Sequence, residues 1–133
     1  MTRGMSTPTL YHYTCDHGRQ LIGMRGKLKP NRHPWLTRPL LWLTDLDHAN
    51  IQALGLTSLT LDCDRTAWRY RIRDGYTRGQ PKGTVEPWIA SRARRESASI
   101  DVVYLEMPPA QPEHWWISYS PLWGILDQPE VQP

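Results

Sequence analysis

The chain has 133 residues and a formal net charge of +3, with seven Trp, six Tyr and no Phe. This length supports one domain with a modest core, and the aromatic content separates it from disordered chains, which lack large apolar side chains. The charge, with a sequence pI of about 9.1, is too mild to demand a polyanionic partner, because weak basicity more often serves solubility alone.

Cys15 and Cys63 stand far apart with no CxxC spacing, so a reduced protein inside the cell is expected. The sequence has no charged-then-apolar leader and no apolar run of bilayer-spanning length. The expectation is a cytoplasmic protein with no membrane partner. The five histidines lack metal-ligand spacing, and Walker, GxGxxG and GxSxG signatures are missing.

In chain order, residues 1–8 read as a loose leader and residues 9–127 as one domain, with 128–133 a polar, Pro-containing tail expected to fray. Thr9 to Thr14 alternates as a strand, Tyr11 and Tyr13 on one face, His12 and Thr14 on the other. Thr14 or Asp16 is placed to cap a following helix that contains Leu21, Ile22 and Met24 and ends at Gly26. The open first turn of that helix favours an anionic ligand. The Pro-studded stretch from Lys27 to Pro39 reads as a loop bordering a site.

Leu40 to Thr44 is a second strand, and Asp45 is a good cap for a helix over Leu46 to Leu54 ended by Gly55. Leu59-Thr60-Leu61 and Trp68-Arg69-Tyr70-Arg71-Ile72 alternate as half-buried strands. Asp74 to Gly83 is Gly-rich and reads as a connection. Glu86-Pro87-Trp88 opens an expected helix reaching Ala98. Ile100 to Leu105 reads as a strand from its β-branched content, and Trp115 to Tyr119 as the last one. The fold class expected is α+β, with small twisted, mostly antiparallel sheets and two or three helices.

The run Leu10-Tyr11-His12-Tyr13-Thr14, followed by Leu21-Ile22, Gly26-Lys27-Leu28-Lys29-Pro30 and Leu41-Trp42-Leu43-Thr44, is similar to an opening found in the ADP-ribosyltransferase fold. It resembles the small bacterial and phage-encoded members of the branch that includes RNA 2′-phosphotransferases and DNA-modifying ADP-ribosyltransferase toxins. The likeness covers about a quarter of the chain; weaker likenesses lie at Trp68 to Ile72 and Glu113 to Ile117. It implies NAD as co-substrate and a nucleic acid or protein as acceptor. His12 would hold a ribose hydroxyl, with Tyr13 and Thr14 on the same nucleotide edge and Trp42 and Thr44 beside the nicotinamide. Glu113 best fits the acidic residue, with Glu106 and Glu86 as competitors, and Arg69 would face the pyrophosphate.

Residue chemistry is compatible with those roles. Breaking the nicotinamide–ribose bond builds positive charge on the ribose, which a carboxylate stabilises, and the same carboxylate can take a proton from the incoming nucleophile. The sequence departs from the protein-arginine modifiers in lacking a Glu-x-Glu or Gln-x-Glu pair and a Ser-Thr-Ser strand. Against the phosphotransferases, only Arg69 and one of Arg19 or Arg32 align as phosphate-binding residues. The rival expectation is a non-catalytic module that keeps the fold and binds a nucleotide, nucleic acid or host protein. A lone strand histidine is ordinarily structural, a glutamate after proline is ordinarily solvated, and adjacent Trp115 and Trp116 must face opposite ways.

Overall fold

Residues 9–32, 36, 38–48, 53–54, 66–72, 85–123 and 128–131 are described in the structure, a computed structural model. Within them the chain forms β1 (Leu10–Thr14), α1 (Asp16–Arg25), β2 (Lys27–Leu28), β3 (Leu41–Thr44), β4 (Trp68–Ile72), β5 (Val85–Pro87), α2 (Arg92–Glu96), α3 (Ser99–Leu105), β6 (Trp115–Ser118), β7 (Leu122–Trp123) and β8 (Glu130–Val131). The protein is α+β. One six-stranded antiparallel sheet runs in the order β5-β6-β3-β1-β4-β8, and β2 pairs with β7 in a second, two-stranded sheet.

Cross-strand register fixes which residues share a face. His12 is opposite Tyr70 and Leu10 opposite Ile72, while Leu43 is opposite Trp116 and Leu41 opposite Ser118. This face packs Leu10, Leu41, Leu43, Tyr70 and Ile72 against Ile22 of α1 and against Leu28 and Leu122 of the small sheet. The opposite face carries Trp42, Trp115 and Ile117, which pack with Leu36, Leu40, Trp88, Ala93 and Leu105. Two cores thus sandwich one sheet, and alternation along each strand divides its residues between them.

The helix after β1 begins one residue away from either expected cap. Cys15 is the N-cap, its Sγ accepting from the Gly18 N–H at 3.4 Å. Thr14 is still in the strand, and its Oγ1 lies against the first turn so closely that a Cβ on Gly18 would come within 2.0 Å of it. Gly26, at φ 69°, ends α1 as expected, with its N–H on the Ile22 carbonyl at 2.9 Å.

Two expected elements change type. The helix over Glu86 to Ala98 gives way to β5, because β6 needs a backbone partner on its outer edge. Val85–Pro87 supplies it, and the Trp88 N–H extends the ladder to the Trp115 carbonyl at 2.9 Å. Only Arg92–Glu96 remains helical, capped by the Ser91 side chain. Ile100 to Leu105 is helix, not strand: Asp101, Val102, Leu105 and Glu106 turn inward while Ile100, Val103 and Tyr104 are exposed, a helical period. Packing of one helical stripe outweighs the β-propensity of its residues.

The tail also holds a strand, since Glu130–Val131 pairs with Arg69 and Trp68 of β4. Of the helix expected from Leu46 to Leu54, Leu46, Asp47 and His48 are not helical and Ala53 and Leu54 form a turn; the rest lies outside the described residues. So do the expected leader, the strand at Leu59 to Leu61 and the connection at Asp74 to Gly83. No helix among the described residues is long and apolar enough to cross a membrane.

Candidate functional site

β1 and β3 share a single ladder pair, Tyr11 and Thr44. Continuing that register would match His12 with Leu43, Tyr13 with Trp42 and Thr14 with Leu41, but the ladder pairing ends at the first pair. Beyond that point the Trp42 carbonyl takes a hydrogen bond from a side chain, the Nδ1–H of His12, at 2.8 Å. A carbonyl only accepts, so this contact assigns the proton to Nδ1 and leaves the Nε2 lone pair of the neutral ring available.

Burial lowers the His12 pKa, and the Trp42 carbonyl opposes this without reversing it. The ring is therefore neutral at pH 7. The residue is half-buried, and no described side-chain nitrogen or oxygen is sealed from solvent without a partner. His12 thus keeps a second ring nitrogen, Nε2, with acceptor capacity beyond the Trp42 contact. Thr14 is on the same face, over the first turn of α1. Nearby, the Tyr70 hydroxyl donates to the Arg19 carbonyl at 3.1 Å, and the Arg19 guanidinium lies 4.4 Å from the centre of the Trp68 ring.

The other residues expected at the site lie on the opposite face, occupied by packing or internal hydrogen bonds. Tyr13 is buried and donates to the Leu46 carbonyl at 2.8 Å; burial raises its pKa. Trp42 packs 5.0 Å from Trp88 and edge-on to Trp115 at 5.8 Å. Thr44 is buried, donating to the His114 carbonyl at 2.8 Å and accepting from the Leu46 N–H at 3.2 Å. Arg69 binds Glu130 at 3.1 Å, the Asp47 carbonyl and the Tyr11 ring face, 4.8 Å from its centre. The structure does not gather these four side chains with His12.

The three candidate carboxylates have distinct environments. Glu106 receives the Trp88 indole N–H at 2.6 Å and a two-pronged contact from Arg94 at 2.7 and 3.0 Å. Burial alone would raise its pKa, but these donors hold it below the usual carboxylate value. It serves to join α2 to α3. Glu86 accepts from the Tyr119 hydroxyl at 2.6 Å. Glu113 is in a 3-10 turn before β6 with its side chain 60% exposed, which leaves it the most accessible of the three. It stands just before the start of β6, a strand separated from β1 by β3.

Sequence reasoning missed the cluster next to Glu113. Asp45 Oδ1 accepts from His114 Nδ1 at 2.7 Å and its Oδ2 from Trp116 Nε1 at 3.2 Å. By sequence Asp45 reads as a helix cap and His114 as one of five histidines without ligand spacing. The two directly flank the paired residues Thr44 and Trp115; their meeting follows from the β3–β6 pairing, which no local motif encodes. Among the described residues, no three His, Cys, Asp or Glu side chains are grouped to hold a metal ion. Comparison with known protein families, characterised proteins and solved structures finds no match for this chain.

Proposed function

We propose that the chain is an NAD-dependent mono-ADP-ribosyltransferase-like protein that modifies a nucleic acid or protein acceptor. The observation that carries this is the neutral His12 ring, held by the Trp42 carbonyl where β1 and β3 part, with Nε2 free to accept from a ribose hydroxyl. The likeness of Leu10 to Thr14 to the ADP-ribosyltransferase opening gives that hydroxyl an identity. Glu113, the most exposed of the three candidate carboxylates and next to the start of β6, is the one assigned to stabilise charge on the ribose as nicotinamide departs. Because Trp42, Thr44 and Tyr13 face the other core, nicotinamide contacts fall to His12-face residues such as Thr14. A cytoplasmic toxin- or phage-type setting belongs to this proposal through the resemblance.

The test is incubation with NAD, with and without DNA, RNA or cell lysate, measuring nicotinamide release. Release that disappears in His12→Ala and Glu113→Ala supports the transferase. A second reading, a non-catalytic nucleotide-binding module, is favoured by one observation: the separation and exposure of Glu113 relative to His12. It predicts that NAD raises the melting temperature with no release of nicotinamide.

A further inference from the structure

The cluster at the start of β6 is organised beyond what packing requires. The carbonyl of His114 is held twice, by the Asp45 N–H at 3.2 Å and the Thr44 hydroxyl at 2.8 Å. Its ring is held by Asp45, and Asp45 in turn by the Trp116 indole. A carboxylate accepts only, so His114 carries a proton on Nδ1, and Nε2 is the nitrogen that can take one up. Nε2 lies 4.0 Å from Glu113 Oε2, beyond hydrogen-bond reach, and the His114 side chain is 38% exposed. A base is thus fixed in tautomer and orientation, open to solvent, beside the carboxylate assigned above to the ribose.

We infer that His114 is the proton acceptor of the transfer and that the acceptor group is a neutral hydroxyl; this rests on the NAD reading above. The bond from C1′ of the ribose to nicotinamide breaks, and its electron pair leaves with nicotinamide. A hydroxyl oxygen forms the new C1′–O bond, and its proton passes to His114 Nε2. The resulting imidazolium keeps its Nδ1–H on Asp45, has Glu113 beside it, and later returns the proton to water. An imidazole base suits this proton, because the hydroxyl becomes strongly acidic as its oxygen bonds to carbon. A guanidinium holds its proton too tightly for such a base, and an anionic acceptor brings no proton to remove.

The full chain is incubated with NAD in water–methanol mixtures, and nicotinamide, ADP-ribose and methyl ADP-ribose are quantified while melting temperature is followed with NAD. His114→Gln and Asp45→Asn are expected to keep the NAD-induced rise in melting temperature and to lose about a hundredfold in the rate of both products. Added imidazole should restore turnover to His114→Ala. Variants that bind NAD and turn it over at the wild-type rate overturn the inference, as does failure of imidazole to restore any rate. Wild-type protein that binds NAD without turnover overturns it too. An unchanged wild-type melting temperature with NAD is a different result: it removes the NAD reading and this inference with it.

Discussion

The two faces of the central sheet use polar groups in opposite ways. On the Trp42 face, Glu106 is matched by Arg94 and Trp88, Glu86 by Tyr119, and the Trp115 indole by the Ala53 carbonyl. Each polar atom ties one element to another, and Trp88 at the centre is fully buried. On the His12 face the same sheet holds a half-buried imidazole with one nitrogen committed and one accessible. The first face is built for stability and the second leaves acceptor capacity over, which marks where a ligand has something to gain.

If that contrast is right, the largest stability losses belong to the Trp42 face. Trp88→Ala should cost about 3–5 kcal/mol, measured by denaturant unfolding, because it opens a void and removes one of the three hydrogen bonds to Glu106. A loss under about 1 kcal/mol would mean that the face is not close-packed.

Next comes Glu106→Gln, which keeps volume but removes a charge-assisted pair and should cost about 1–3 kcal/mol. Its sign with pH is defined. The folded pKa of Glu106 is depressed, so its contribution is complete above the unfolded carboxylate value and is lost as pH falls through the folded one. The wild-type protein should lose stability across that acid window and the variant should lose less. Parallel curves would show that the pair contributes nothing.

On the His12 face, Gly18→Ala places a Cβ against Thr14 Oγ1. Overpacking of this kind costs about 1–3 kcal/mol, and Thr14→Ala should recover part of it in the double variant. An additive pair of losses would indicate that the strand and helix do not touch as described.

The smallest effect expected is the titration of His12 itself. Its folded pKa lies below the unfolded value, so the histidine costs nothing above the ordinary value of 6.5. Below it, the unfolded chain takes up a proton that the folded one refuses, and stability falls with pH until the folded value is reached. NMR should find the His12 ring titrating below 6.5, and His12→Gln should flatten stability just below that pH. A ring titrating at or above that value would contradict the burial that lowers its pKa.

How much of this was legible beforehand depended on whether the signal was local. Alternation in Leu10 to Thr14 and Trp68 to Ile72 gave both strands, and Gly26 ended α1 where left-handed backbone is needed. Ile100 to Leu105 misled because its residues favour strands while their burial follows a helical period. Val85–Pro87 misled because its role exists only as a partner for β6, whose position beside it is a tertiary fact. At the site, the sequence placed His12 and Thr14 on one face correctly but could not separate them from Trp42, Thr44 and Arg69, which needed cross-strand register. Asp45 and His114, sixty-nine positions apart, were beyond any motif.

The most direct test of the account is thermal unfolding of wild-type protein and His12→Ala with and without millimolar NAD. At a hundredfold excess over its dissociation constant a ligand adds about 2.7 kcal/mol, so the wild-type melting temperature should rise by several degrees while that of His12→Ala stays within error of its ligand-free value. Equal shifts in both proteins, or none in either, would contradict the assignment of the parting between β1 and β3 as the nucleotide site.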